Sequence, residues 1–390
     1  MNFDSKLAEV AHRRHQQLYR QVIVNDAPTG REIIVDGYSY INFSSNDYLG
    51  LARHPNVVTA YQKGAQDYGV GSGGSPLVTG FQRPHSQLSE QLAQWLDYPQ
   101  VMLLSSGFTA NQLIIKTLMS DGDLLLQDKL NHASLIDAGL CCGAQMKRFL
   151  HNRADSLEKK LSTAEANNRL VVTEGVFSMD GDEAPLDEMA RICKAHDAWL
   201  MVDDAHGIAV HGPQGRGSLA KRGVKAQLLM ATFGKALGVG GSMIAASQKV
   251  IELLTNLGRE YIYSTAMPAA QACAVSAAIK LVQSGEYQQR LHERIHEFKQ
   301  QMKSTSWHVL PSDTAIQPLW VGSAEQALIL SEKLRHQGIW VSAIRPPTVP
   351  PEQARLRITI TAAHCSSDIT RLTQALSRLQ PVDEGCMSGY

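Results

Sequence analysis

Leu228-Leu229-Met230-Ala231-Thr232-Phe233-Gly234-Lys235-Ala236-Leu237-Gly238 is the stretch whose reading decides how this chain folds. Its opening apolar run has the pattern of a strand buried on both faces, as in a parallel sheet covered by helices on each side. A lysine just past such a strand, among small residues, sits at the mouth of the sheet. Desolvation there lowers its pKa and frees the amine to condense with a carbonyl. A Gly-Lys pair in a turn is more often a solvated loop, so the weight comes from what precedes it.

Upstream, the same rhythm repeats from Gln100 onward: an apolar run, a polar or glycine punctuation, then a helix-like segment. Val101–Leu104 leads to Ser105-Ser106-Gly107-Phe108 and a helical pattern from Thr109 to Met119. Leu124–Leu126 leads to Asp128–His132 and a helix near Ser134. Leu170–Thr173 leads to Glu174, Leu200–Val202 to Asp203-Asp204-Ala205-His206, and Met243–Ala246 adds one more strand. Such alternation predicts an α/β fold with a mostly parallel central sheet and crossover helices. Downstream the rhythm breaks. Pro268–Val282 is an alanine-rich helix, Glu286–Met302 a long charged one, and the remainder a smaller α+β unit with strands at Ile316–Val321, Ile339–Ile344 and Arg355–Thr361. In the last of these Leu356, Ile358 and Ile360 share one face, and Arg355, Arg357 and Thr359 the other. The expected division is residues 1–46, an N-terminal helix (Ser5–Tyr19, with Arg20 at its end) and short strands (Glu32–Val35, Tyr40–Phe43); 47–285, a large domain; and 286–390, a C-terminal α+β domain.

Composition narrows the function. The 390 residues are 44% hydrophobic and 19% charged, with 37 basic and 37 acidic side chains. That balance gives no electrostatic case for a nucleic-acid or membrane-surface partner. The six cysteines show no metal-ligand spacing, the N-terminus lacks the apolar core of a secretory signal, and no apolar run is long enough to span a bilayer. A cytoplasmic protein with reduced thiols and no structural metal is expected. Gly69–Ser75 is glycine-dense but lacks the Gly-Lys-Ser/Thr ending of a P-loop and the strand–helix context of a dinucleotide fingerprint. It is expected to be a loop whose backbone approaches something closely.

In an open parallel sheet, ligands lie outside the carboxyl ends of the strands. Those ends here carry Ser106-Gly107-Phe108, His132, Glu174 with Ser178, Asp203 with His206, and Thr232 with Lys235. The inventory matches pyridoxal phosphate, an aldehyde needing an amine, a pyridinium needing an anion, a ring needing a face and a phosphate needing donors. Lys235 supplies the amine. Asp203 supplies a carboxylate able to keep the ring nitrogen protonated, although an aspartate at a strand end is also a common loop anchor. Gly107 and Phe108 open a helix whose N–H groups and dipole favour a phosphate, and the bland role for Ser106 is that of an N-cap. Ser178 and Thr232 bring hydroxyls within reach of the same region. His132 suits the ring face and His206 its phenolic oxygen.

Five segments carry a family resemblance: Asn42-Phe43-Ser44-Ser45-Asn46-Asp47-Tyr48-Leu49-Gly50, His132-Ala133-Ser134-Leu135, Thr173–Gly181, Val202–Gly207 and Thr232-Phe233-Gly234-Lys235. Together they resemble the α-oxoamine synthases, pyridoxal-phosphate acyltransferases of the aspartate-aminotransferase fold (fold type I) that act as homodimers. The likeness spans about residues 5 to 380. Ala343–Pro350 followed by Ala354–His364 is most similar to the members that condense L-alanine with a pimeloyl thioester on the way to biotin. A member using glycine and another acyl-CoA is the alternative, and the acyl donor, coenzyme A or acyl carrier protein, stays open. The resemblance implies that Lys235 binds the cofactor aldehyde, that Asp203 partners the ring nitrogen and that His132 stacks on the ring. Gly107, Phe108, Ser178, His206, Thr232 and Thr265 become cofactor contacts, Thr265 toward the neighbouring subunit's phosphate. It further implies that Asn46 and Arg357 hold the amino-acid carboxylate, the latter with bidentate geometry, and that Arg20 and Thr348 touch the acyl substrate.

Overall fold

A computed structural model describes residues 3–15 and 18–379. Its strands, in chain order, are β1 Glu32–Val35, β2 Tyr38–Asn42, β3 Gln100–Leu104, β4 Leu124–Asp128, β5 Gln145–Phe149, β6 Arg169–Glu174, β7 Trp199–Asp203, β8 Leu228–Thr232, β9 Ser242–Ala246, β10 Ile316–Gly322, β11 Ile339–Trp340, β12 Ser342–Ile344 and β13 Ala354–Thr359. Seven of them form the central sheet in the order β3-β9-β8-β7-β6-β4-β5. Strands β4 to β8 pair in parallel, and β9 runs against both β3 and β8. The α/β class and the mostly parallel sheet therefore stand as expected.

Side chains alternate between the two faces of this sheet, and both faces are covered. Leu228 and Met230 pack with Leu113, Ile114, Leu135 and Leu254 from helices Gly107–Leu118, Ala133–Cys141 and Gln248–Leu257. Leu229 and Ala231 point the other way, into a larger core with Leu88, Leu92, Met189, Ile192 and Val275. Because the parallel strands run in one direction, Asp128, Glu174, Asp203 and Thr232 end up along a single edge. The edge strand β5, Gln145-Met146-Lys147-Arg148-Phe149, was not apparent as a strand, because only Phe149 of it is buried.

Three expectations are corrected. The first helix runs Asp4–His15, so Arg20 lies beyond it on the segment leading to β1. The N-terminal hairpin strand begins at Tyr38, not Tyr40. Ile339–Ile344 is not one strand: β11 pairs in parallel with β2, and β12 pairs antiparallel with β13 in a different sheet. The chain changes sheets at Val341, whose carbonyl accepts the Ser331 hydroxyl at 2.6 Å instead of joining a ladder. The glycine-rich loop does dock closely: Gly74 O accepts the Ala266 N–H at 3.0 Å and Ser72 Oγ donates to Ala266 O at 2.5 Å. Among the described residues no helix is long and apolar enough to cross a membrane, and Cys141, Cys142, Cys193, Cys273 and Cys365 are free thiols.

β13 bounds the central site from the C-terminal side. Thr359 N donates to Phe43 O at 2.8 Å, tying the strand to the loop that carries Asn46 and Tyr48. Both arginines of its non-core face are buried, Arg355 to 4% exposure and Arg357 to 8%, so that face is not solvated. Arg355 pairs with Asp180 of the Ser178–Gly181 turn.

Candidate active site

Lys235 follows β8 by three residues, between the small residues Gly234 and Ala236. Its Nζ lies 2.7 Å from His206 Nε2. His206 Nδ1 lies 2.6 Å from Tyr48 Oη, and Tyr48 Oη donates to Asn46 Oδ1 at 3.2 Å. Arg357 Nη2 donates to the same Asn46 Oδ1 at 3.2 Å and approaches Tyr48 Oη at 3.5 Å. One proton arrangement satisfies this whole chain: Lys235 donates to Nε2, Nδ1–H to Tyr48, and Tyr48 to Asn46. His206 is thereby a neutral imidazole. Burial, reinforced by the cations of Lys235 and Arg357 and by His132, holds its pKa well below the ordinary value.

Burial likewise pushes the Lys235 ammonium down to about 8, with Arg357 adding to the shift and Asp203 and Glu174 opposing it. At pH 7 about a tenth of such an amine is neutral, against well under a thousandth for an ordinary lysine. In the cofactor-free protein, trinitrobenzenesulfonate labelling of Lys235, followed by peptide mapping, is expected to rise with pH and level off above about 8. A rate that keeps climbing through pH 10 would mean an unshifted amine.

The carboxylate end is built on β7 and β6. Asp203 Oδ2 accepts from Asn111 Nδ2 at 2.8 Å and Oδ1 from the Ala205 N–H at 3.0 Å. Glu174 Oε1 accepts the His132 N–H at 2.6 Å. Burial, then the neighbouring Asp203 charge, holds the Glu174 carboxyl well above the usual range. Behind Asp203, Asp204 is anchored by the Ser218 hydroxyl at 2.6 Å and the Ser218 N–H at 2.7 Å, and burial raises it to about 7. Gly175 is required by this packing, because a Cβ there would lie 2.1 Å from Asp204 Oδ1.

His132 caps helix Ala133–Cys141. Its Nδ1 accepts the Ser134 N–H at 3.2 Å, which leaves the ring proton on Nε2, and burial lowers its pKa against the pull of Asp203. Ser106 caps helix Gly107–Leu118, accepting the Thr109 N–H on Oγ and the Ala110 N–H on its carbonyl. The Gly107 and Phe108 N–H groups are thus the uncommitted donors of that first turn. Gly107 abuts β8, with a Cβ there 3.7 Å from the Thr232 Cβ.

These residues fit pyridoxal phosphate. The donor set comprises a depressed amine, a carboxylate held by neutral donors, an imidazole with a fixed tautomer, and helix N–H groups beside a hydroxyl. Lys235, Asp203, His132, His206, Asn46 and Arg357 gather in one region, with Gly107 and Thr232 side by side at its margin. Ser178 enters through its backbone: Arg357 Nε donates to Ser178 O at 2.6 Å. Phe108 is half exposed, and Arg20 and Thr348 are exposed. Thr265 is exposed and lines a cleft with Pro76, Ser105 and Thr109 of its own chain. Sequence reasoning missed Tyr48, Asn111 and Ser134. Tyr48 stood inside a quoted motif, and Asn111 lies one helical turn from Gly107, on the same face as the helix opening.

The class I and II aminotransferase family model matches residues 38–376. An 8-amino-7-oxononanoate synthase of Pectobacterium atrosepticum is 50% identical over 370 residues, 95% of this chain and 96% of that protein. The enzyme of the same name from Yersinia enterocolitica is 50% identical over 378 residues, covering 96% and 99%. Among solved structures, Sphingomonas wittichii serine palmitoyltransferase superposes with a TM-score of 0.90 at 28% identity, covering 96% of each chain. The 8-amino-7-oxononanoate synthase of Francisella tularensis gives 0.76 at 29% identity, covering 87% of this chain and 97% of that one.

Proposed function

The chain belongs to the class I and II aminotransferase family, and from that premise we propose that it condenses L-alanine with a pimeloyl thioester, releasing CO2 and the free thiol. The product is 8-amino-7-oxononanoate, a precursor of biotin. The observation that carries this reading is the continuous chain Lys235–His206–Tyr48–Arg357, which couples a proton-accepting amine to a carboxylate anchor within one site. The 50% identity to synthases of that name supports alanine and a pimeloyl thioester as the substrates, since the backbone is shared at 28–29% identity by a serine palmitoyltransferase and an 8-amino-7-oxononanoate synthase alike.

Pyridoxal phosphate, when bound, supplies an electron sink for a carbanion formed next to the substrate nitrogen. The protein does the rest. Arg357 and Asn46 hold the alanine carboxylate, and Lys235 Nζ takes the α-proton, a task suited to an amine near pH 8. His206, neutral and tied to Tyr48, keeps Nζ aimed. Asp203 holds the proton on the ring nitrogen, and His132 covers one face of the ring. Gly107, Phe108 and Thr232 secure the phosphate, Ser178 and His206 are further cofactor contacts, and Thr265 serves the neighbouring subunit of a homodimer. Arg20 and Thr348 meet the acyl substrate as it arrives on coenzyme A or on acyl carrier protein. The residue groups 1–46, 47–285 and 286–390 act as N-terminal segment, cofactor domain and C-terminal domain, in the cytoplasm.

Turnover of purified protein with alanine, glycine or serine against pimeloyl and shorter thioesters tests the reading. Alanine with the pimeloyl thioester is expected to give the highest kcat/KM. Faster consumption of glycine or serine would assign the chain to another member of the family.

A further inference from the structure

The carboxylate that faces the ring nitrogen must keep one orientation, and a buried aspartate needs donors to do so. Asp203 is 4% exposed and receives its second oxygen's bond from its own loop, the Ala205 N–H. The first oxygen depends on a different element. Asn111, one turn into helix Gly107–Leu118 and 1% exposed, donates one amide hydrogen to Asp203 Oδ2 at 2.8 Å and the other to Ser134 Oγ at 2.9 Å. Ser134 Oγ lies 2.8 Å from His132 Nδ1, and since that nitrogen already accepts the Ser134 N–H, the hydroxyl donates to it too. A single amide therefore joins the ring-nitrogen carboxylate to the stacking imidazole.

The amide's orientation is determined by its surroundings. Rotating it would set its oxygen against the Asp203 carboxylate and leave the NH2 without an acceptor. As it stands, Asn111 Oδ1 is buried with no partner. An unpaired buried carbonyl is a cost that a leucine of similar size would avoid. Packing alone therefore gives no reason for asparagine here.

We infer that Asn111 is a positioning residue that holds Asp203 against the ring nitrogen and, through Ser134, fixes His132 as its Nε2–H tautomer. This rests on the proposed pairing of Asp203 with pyridoxal phosphate. The adjacent Gln112 supplies an internal control, because its Nε2 binds Ser134 O at 3.0 Å across the same helix contact without touching Asp203.

The test is the 15N NMR shift of the ring nitrogen in protein loaded with 15N-labelled pyridoxal phosphate, followed from pH 6 to 9, beside steady-state kinetics. In the parent protein and in Gln112→Met the nitrogen is expected to stay protonated throughout. In Asn111→Leu it is expected to lose its proton within that range, with kcat falling about tenfold or more and the KM for alanine staying within threefold. The melting temperature of the cofactor-free variant reports folding, and Asn111→Ser, still polar but too short to reach Asp203, carries the same expectation if the leucine does not fold. An Asn111 variant with the parent's 15N titration overturns the inference. A parent-like titration in Asp203→Asn would instead overturn the assignment of Asp203 itself.

Discussion

Lys235→Ala is expected to lose condensation by a factor on the order of 10⁴ or more, while the fold survives. General-base catalysis alone accounts for roughly 10²–10⁴, and the covalent grip on the cofactor goes with the same amine. The fold survives because the side chain is a buried cation whose pKa burial has already pushed down to about 8. Removing it relieves a desolvation cost, since the amine's hydrogen bond is to neutral His206. Cofactor-free Lys235→Ala should therefore melt at or slightly above the temperature of the parent. Loaded with pyridoxal phosphate, it should release the cofactor on dialysis under conditions where the parent retains it. Turnover within tenfold of the parent would remove Lys235 from the chemistry.

The second large effect is expected at Arg357. The guanidinium donates in three directions at once: Nε to Ser178 O at 2.6 Å, Nη1 to Thr359 Oγ1 at 3.1 Å and Nη2 to Asn46 Oδ1 at 3.2 Å. A lysine keeps the charge but cannot reproduce that planar fork. Arg357→Lys should lower kcat/KM for alanine by about 10²–10³, equivalent to roughly 3–4 kcal/mol. Most of the change should appear as a higher KM, because the carboxylate is held before and during reaction. Stability should fall by about 1–2 kcal/mol as the Ser178 carbonyl loses its donor. A variant that loses stability while keeping its KM for alanine would make Arg357 a brace for the Ser178 turn and nothing more.

Much of the candidate site was legible because each strand delivers one chemically distinct residue at its carboxyl end. Lys235, Asp203, Thr232 and Glu174 could be placed from apolar runs alone, as parallel pairing puts all such ends on one edge. For Arg357 the sequence by itself allows two readings, a solvated strand face or a carboxylate ligand, for a definite reason. The alternation in Arg355–Thr361 shows which residues share a face but not whether that face meets water or other protein. Its burial depends on the Ser178 turn and the Asn46 loop folding over it, contacts separated by 179 and 311 residues in the chain.

Tyr48 and Asn111 were hidden by the opposite difficulty. Tyrosine and asparagine have many routine uses, and what singles these two out is their partners, His206 for one and Asp203 with Ser134 for the other. The mostly apolar run Ile339–Ile344 likewise concealed a change of sheet, because nothing in its pattern reveals that β11 pairs in parallel with β2 while β12 pairs antiparallel with β13.

Amino-acid order by itself determined the alternation of strands and helices, the parallel sheet and the residues at its functional edge, because these follow from local periodicity and from what a buried strand tolerates. Tertiary structure alone decided which ring nitrogen of His132 and of His206 carries the proton, how far Lys235 is desolvated and whether Arg357 faces water. Those properties depend on groups from 2 residues apart in the chain, for His132 and Ser134, to 311, for Arg357 and Asn46, brought within hydrogen-bonding distance, where the low dielectric of the interior makes each donor and charge count.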